Sequence, residues 1–124
     1  MKIIKKSDAN HIDKPEGTSV DYYLQDEYEV HYNEQAPKTT QTWHHHEQIG
    51  EVIFMLEGEL TAKWKEQDKV LSEIVSSGDL IETGSISHTF ENHTDQKIKF
   101  LVIKLVPSGE NKREIFKTDK IIDE

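Results

Sequence analysis

Short β-rich segments, each bounded by turn-forming residues, fill most of this chain and constrain its fold more than any other feature. Val, Ile, Thr, Tyr and Phe dominate the segments, and Gly, Pro, Asn and Asp recur between them. Runs of this kind are typical of strands in an antiparallel sandwich or barrel. No stretch shows a sustained helical period. The sequence therefore predicts an all-β fold, with strands near residues 20–24, 28–32, 38–43, 52–56, 59–64, 70–75, 80–83, 87–92 and 98–106.

Turn signals indicate how some of these strands are connected. Gly58 separates two strands, which predicts a tight hairpin over residues 56–59. The longest apolar segment, residues 98–106, is expected to end at Pro107-Ser108-Gly109. Residues 1–17 show no periodicity and end in Lys14-Pro15-Glu16-Gly17, a turn signature. We therefore expect an N-terminal arm over residues 1–17 and a single β-barrel domain over residues 18–124.

Composition and charge exclude several classes of protein. A chain of 124 residues is the size of one domain, and 34% hydrophobic against 31% charged residues leaves room for only a small core. The absence of cysteine excludes disulfides, thiolate metal sites and thiol catalysis. The net charge is −9 and the lysines are interspersed with acids, so no nucleic-acid partner is expected.

No targeting or membrane segment is predicted. The first residues lack the apolar run of a signal peptide. No segment approaches the roughly 20 apolar residues that span a bilayer. We expect a cytoplasmic protein with no membrane partner.

The run Trp43-His44-His45-His46, followed by Glu51, indicates a metal site. Side chains alternate between the two faces of a strand, so His44 and His46 share a face and His45 points the other way. The intervening residues 47–50 can make the turn that returns Glu51 to the same place. Two imidazoles and a carboxylate are ligands for a divalent cation. The alternative is a solvated histidine-rich tract with an unrelated glutamate.

A second constellation follows Gly78, where His88, Phe90 and Asn92 alternate onto one face of a predicted strand. His88 is a candidate third imidazole, and His93 is its competitor with the opposite parity. Asn92 is expected to support the pocket by hydrogen bonding, although it also reads as a turn residue. Apolar strand residues can line a pocket or belong to the core; the candidates beside the metal are Ile53, Met55 and Phe90.

These two segments resemble the paired motifs of the cupin superfamily, whose members build a double-stranded β-helix (jelly-roll) barrel around one metal. The first motif matches from His44 to Gly58, and the second matches at Gly78, His88 and Asn92. Lys38 departs from the pattern, since the family usually has glycine six residues before the first histidine. The resemblance implies one divalent transition metal held by His44, His46, Glu51 and His88. Three imidazoles and one carboxylate suit Fe, Mn, Ni, Co, Cu or Zn without selecting among them.

Three functional hypotheses remain open at this stage. The first is a small metal-dependent enzyme, similar to a dioxygenase, isomerase or decarboxylase, that acts on a small, polar, oxygen-rich molecule. The second is a non-catalytic metal- or ligand-binding or sensor barrel. The third is a metal-free sugar isomerase or epimerase that uses His and Tyr as acid and base. Fold analogy does not decide among them.

Further expectations concern the remaining elements. The apolar strand from Phe100 to Val106 suits burial on both faces, which favours a homodimer. An edge strand from residues 18–32 or 112–122 is a candidate for completing a partner's sheet. Lys104, inside the apolar strand, is expected to point outward or to lie at the rim.

Overall fold

Strands account for most of the structure, a computed structural model that describes residues 1–106 and 112–123. The predicted end of the long apolar strand at Pro107-Ser108-Gly109 lies outside the described residues. A short 3-10 helix, Lys6–Asp8, precedes the first strand, and one α-helix, α1 (Lys112–Thr118), lies near the C-terminal end of the described residues. The strands are β1 (Asn10–Asp13), β2 (Thr18–Leu24), β3 (Tyr28–Gln35), β4 (Thr39–Thr40), β5 (His44–His45), β6 (Gly50–Glu57), β7 (Leu60–Glu66), β8 (Lys69–Val75), β9 (Leu80–Glu82), β10 (His88–Asn92), β11 (Ile98–Leu105) and β12 (Ile121–Ile122).

Two antiparallel sheets face each other. The first has the order β1-β2-β3-β11-β6-β9 and the second the order β12-β5-β10-β7-β8, with β4 pairing with β10. This arrangement confirms the predicted all-β, cupin-like jelly-roll barrel. The hairpin predicted over residues 56–59 is wrong, because β6 and β7 belong to different sheets and Gly58 connects one sheet to the other.

The barrel interior is apolar at one end and polar at the other. Strand β11 shows the change along its inward face, where Ile98, Phe100 and Val102 are buried in the core and Lys104 follows them at the polar end. Lys104 therefore points inward, contrary to the prediction. Its side chain is only 15% exposed, and its ammonium lies 3.8 Å from a Glu51 oxygen, which gives the charge a partner inside the barrel. The main apolar cluster comprises Ile53, Met55, Leu60, Ala62, Val75, Phe90, Ile98, Phe100 and Val102.

The C-terminal segment differs from the prediction. An edge strand was a candidate over residues 112–122, but residues 112–118 form α1, and only Ile121–Ile122 are extended. Phe116 of α1 packs in a second apolar cluster with Ile49 and Val106. Seven residues make two helical turns, too few for a period to appear in the sequence. Burial of Phe116 holds this helix in place.

Residues 10–13 extend the first sheet. Strand β1 pairs antiparallel with β2, from Asn10 opposite Tyr22 to Asp13 opposite Ser19. Part of the predicted arm is thus the edge strand of the barrel.

Lys38 occupies the position where the related family usually has glycine, and its backbone explains the family's preference. Its φ of 57° lies in the left-handed region, which glycine adopts without steric cost. The Lys38 ammonium donates to the carbonyl of His93 at 2.6 Å, which gives the lysine a role that glycine lacks.

The described residues contain no helix with the length and hydrophobicity needed to cross a bilayer.

Gly58→Ala should destabilise the barrel more than Gly78→Ala. Both glycines have φ near 90°, so both substitutions strain the backbone by about 1–3 kcal/mol. A Cβ at Gly58 would also lie 2.5 Å from Ile98 Cγ2, whereas a Cβ at Gly78 would meet nothing within 4 Å. We expect an additional loss of about 1–3 kcal/mol for Gly58→Ala, measured by urea unfolding monitored by tryptophan fluorescence. Equal losses in the two variants would contradict the close packing of Gly58 on Ile98.

Candidate metal centre

Neighbouring strands bring the four predicted ligands to the polar end of the barrel. His44 begins β5 and lies directly opposite His88, which begins β10. Glu51 lies on the inward face of β6, and His46 directly follows β5. All four side chains are buried, with exposures of 1–6%. Strand alternation thus produces the shared face that the sequence predicted for His44 and His46.

The donor atoms face one another across a short gap. One ligand atom each from His44, His46 and Glu51 lies within 4.8 Å of the others. The His46 Nε2 atom is 3.1 Å from Glu51 Oε2, and the His88 Nε2 atom is 3.5 Å from Glu51 Oε1. The rings of His44 and His88 are 4.6 Å apart between centroids. His88 therefore contacts the same carboxylate as His46.

Backbone carbonyls fix the tautomer of all three imidazoles. The Nδ1 atom of His44 lies 2.7 Å from the Thr42 carbonyl, and Nδ1 of His88 lies 2.7 Å from the Ile86 carbonyl. A carbonyl only accepts, so each Nδ1 carries the proton and donates it. His46 donates in the same way to the carbonyl of Asp119 at 2.9 Å. In its neutral form, each ring therefore presents an unprotonated Nε2 to the centre.

The resulting set of lone pairs suits a cation. The Nε2 atoms of His46 and His88 are buried and have no hydrogen-bond partner. The 3.1 Å approach of His46 to Glu51 is short but not aligned as a hydrogen bond. Buried polar atoms without partners are costly. A divalent cation would satisfy the imidazoles and the carboxylate together, so the residues present fit a metal.

Asp119 holds the turn between His46 and Glu51. Its carboxylate accepts hydrogen bonds from the backbone N–H groups of Glu47, Gln48 and Ile49, at 2.6–3.2 Å. Its own carbonyl orients His46. Sequence reasoning missed this residue, because it lies more than 70 positions away and belongs to neither motif.

Asp123 joins the two histidine-bearing segments from the other side. It accepts from Ser87 Oγ at 2.7 Å and pairs with His45 Nδ1 at 2.8 Å. His45 thus faces away from the centre, as alternation predicted. Strand β12 pairs with β5 immediately beside this contact.

Burial and charge set the protonation of the centre. Burial lowers the pKa of His44 to about 4, and the nearby Lys120 ammonium acts in the same direction. Burial acts to raise the pKa of Glu51, and the charge of Lys104 acts in the opposite direction. His44 is therefore neutral at neutral pH, and Lys104 favours the ionised form of Glu51, as metal binding requires.

A second buried network lies beside the centre. His31 Nε2 is 2.8 Å from Glu29 Oε1, and Arg113 of α1 contacts the other Glu29 oxygen. Tyr22 packs edge-on against the His31 ring at 4.5 Å. Burial lowers the pKa of His31 despite its bond to Glu29.

Two cavities adjoin the centre. The smaller, about 50 Å³, is lined by His44, Glu51 and Lys104 among others. The larger, about 530 Å³, is a cleft between the sheet edges β8 and β9 and reaches the centre only at His88. The smaller cavity is the better candidate for chemistry, because it contains two predicted ligands and further charged groups.

The predicted pocket residues separate into two pairs. Ile53 and Phe90 line the smaller cavity. Met55 lies fully buried in the core cluster, away from both cavities. Asn92 is also fully buried, and its amide donates to the carbonyls of Gln35, Ala36 and Gln96. Asn92 therefore supports turns of the backbone, which agrees with its interpretation as a turn residue.

Comparisons with known proteins identify the family. The family model described as Cupin domain matches residues 30–104, which is more than half of the chain. This protein therefore belongs to the cupin family. No curated protein matches the chain at the level of sequence.

Solved structures show the same fold at low sequence identity. Oxalate decarboxylase from Bacillus subtilis is 15% identical with a TM-score of 0.75, over 96% of this chain and 31% of that chain. An oxalate oxidase is 18% identical with a TM-score of 0.68, over 84% of this chain and 59% of that chain. A cupin-superfamily sugar phosphate isomerase from Silicibacter pomeroyi is 18% identical with a TM-score of 0.68, over 84% of this chain and 75% of that chain. The chain thus spans about a third of the decarboxylase and under two thirds of the oxidase.

Asp119→Asn should weaken metal binding without removing a ligand. Asn keeps the shape of the side chain but loses the charge and one of the two oxygens that accept from residues 47–49. Loss of a group that orients metal ligands typically costs 10- to 100-fold in affinity. We expect a loss of about that size in competition titrations against a chelator. Glu114→Gln, an exposed change on α1, is the control, and equal affinity in both variants would refute the role of Asp119.

The folding stability of the metal-free protein should decrease as the pH is lowered, because of His44. The folded pKa is about 4, against about 6.5 when unfolded. Between these values the unfolded state binds a proton that the folded state does not, so stability is lost as pH falls through this window. We expect a loss of about 2 kcal/mol from this residue between pH 7 and pH 5, measured by urea unfolding in EDTA.

His44→Gln should remove this share of the pH dependence. His93→Gln, a surface change, should retain it, since His93 is 61% exposed. The same dependence of folding stability on pH in the wild type and in His44→Gln would contradict this prediction.

Proposed function

We propose that this protein binds one divalent transition metal through His44, His46, Glu51 and His88, and uses the site to bind and transform a small oxygen-rich molecule. The observation that carries this proposal is the pair of buried Nε2 atoms, on His46 and His88, that lack any partner while facing a carboxylate. A metal-free hydrogen-bonded centre would need a donor where these rings present lone pairs. The metal-free isomerase hypothesis is therefore the weakest of the three.

The donor set indicates the chemistry. Three imidazoles and one carboxylate suit Mn, Fe, Co, Ni, Cu or Zn. When bound, such an ion supplies Lewis acidity, and coordination positions not filled by protein are open to a ligand. The chain's own residues keep the rings in one tautomer, exclude bulk water from the ligands by burial, and favour the ionised form of Glu51.

Groups that can move protons favour an enzyme over a passive binding barrel. Lys104 and His31 line the same small cavity as His44 and Glu51. A storage or sensor site needs no such groups beside its ligand, whereas general acid–base catalysis depends on them. The solved neighbours support dioxygen-, decarboxylation- or isomerase-type reactions, since they are an oxalate oxidase, an oxalate decarboxylase and a sugar phosphate isomerase.

We also propose that the chain forms a homodimer through the outer face of the first sheet. Phe54, Leu56 and Leu105 are 36–43% exposed there, and Leu101 and Ile103 lie half-buried between them. Covering such a surface stabilises association by about 25 cal/mol per Å². A cytoplasmic location stays a prediction from the sequence.

Protein purified without an affinity tag should bind about one metal ion per chain. His46→Gln, Glu51→Gln and His88→Gln should each retain less than about a tenth of that metal at the same free concentration. Elemental analysis after separate loading with Mn, Co and Zn is the measurement. His93→Gln is the matched control, because the His93 side chain is 61% exposed. A wild-type protein that takes up no metal under any loading would refute the proposal and favour the metal-free barrel.

A further inference from the structure

Three lysines converge on the small cavity from separate parts of the chain. Lys14 lies in the turn between β1 and β2, Lys104 on β11, and Lys120 between α1 and β12. The protein carries a net charge of −9, so a concentration of cations at one cavity departs from its overall character. Electrostatic potential at a cleft, rather than net charge, determines which ligands it attracts.

Only one of these three ammonium groups forms an ion pair within the described residues. Across residues 1–106 and 112–123, neither Lys14 nor Lys120 has a carboxylate within 4.0 Å. Lys104 approaches only Glu51, at 3.8 Å. Glu16 also lines the cavity, but its carboxylate accepts from the backbone N–H and the hydroxyl of Thr42 at 3.1 and 3.2 Å.

The lysines repel one another, and the carboxylates nearby relieve that repulsion only in part. Burial lowers the pKa of Lys104; the charges of Glu51 and Glu29 act against this shift, and the charges of Lys120 and Lys14 add to it. Burial likewise lowers the pKa of Lys120, with a contribution from Lys14, and the charges of Glu16 and Glu51 act against it. Like charges gathered in a partly buried space cost free energy. An anion in the cavity would offset that cost.

The cavity restricts the size of the anion. Its volume is about 50 Å³, room for roughly four water-sized groups at 10–15 Å³ each. Its inner end is apolar, because the lining residues Ile53, Phe90, Phe100 and Val102 belong to the core cluster. A carboxylate with a short apolar substituent matches both the volume and this apolar inner end.

We propose that Lys14, Lys104 and Lys120 make the cavity at the metal centre selective for small carboxylate anions. This inference rests on the proposed function, because it assigns the substrate class of the same site. Glu51 and the incoming carboxylate are both negatively charged, so the cavity needs more positive charge than the metal alone. The lysines supply that additional positive charge.

Binding of acetate to the Co(II)-loaded protein tests the inference. Visible absorption of the bound Co(II) reports a change of ligand without any need for turnover. Acetate should shift the spectrum saturably, and acetamide, its neutral counterpart of the same shape, should not do so at the same concentration. Lys104→Met and Lys120→Gln should each weaken acetate binding by about tenfold. Lys69→Gln, an exposed change on β8, should leave it unchanged.

The outcomes separate the two proposals. Failure of the wild type to take up Co(II) would refute the proposed metal function itself. Normal Co(II) uptake with equal responses to acetate and acetamide would overturn only the carboxylate inference. The carboxylate inference would also be overturned if the lysine variants bound acetate as tightly as Lys69→Gln does. The same holds if inorganic phosphate bound as tightly as acetate. If Lys104→Met loses Co(II), Lys14→Gln and Lys120→Gln carry the test, since neither residue contacts a metal ligand.

Discussion

The hydrogen bonds from three imidazole Nδ1 atoms to backbone carbonyls are the interaction on which the centre depends. They place the ring protons on the side away from Glu51 and leave a lone pair on each Nε2. Without them, the rings could donate to the carboxylate and form a closed hydrogen-bonded cluster that needs no ion. The backbone of the barrel, through the carbonyls of Thr42, Ile86 and Asp119, therefore determines that the rings present lone pairs rather than ring protons to the centre.

A short C-terminal segment controls one of these bonds directly and braces the strands that carry the others. Asp119 orients His46 and holds the turn that leads to Glu51, and Asp123 joins His45 to the residue before His88. Helix α1 anchors this segment by burying Phe116 against Ile49 and Val106. Packing of an apolar side chain and alignment of metal ligands are thus properties of one continuous piece of chain.

The sequence was sufficient for the fold class and for the grouping of His44, His46 and Glu51, because both follow from local rules. Alternation along a strand places His44 and His46 on one face, and turn signals separate the strands.

Contacts between distant residues could not be predicted in this way. Lys104 stands in an apolar run and looks like an outward residue until its Glu51 partner is known. Asp119 precedes a two-residue strand and has no motif, and α1 is too short to show a period. Met55 and Phe90 have the same pattern in sequence, yet only Phe90 reaches the cavity, since that depends on how the two sheets face each other.

The family-matched region, residues 30–104, contains every donor atom of the centre but neither of the two aspartates that align them. A fragment cut after Val106 would keep the full set of ligands. The turn at residues 47–49 would lose its support from Asp119, and one side of β5 would be open to solvent. Ligand content and ligand alignment are therefore encoded in separate stretches of this chain. Substitutions near the C-terminus can tune the affinity of the centre while every residue of the family signature stays the same.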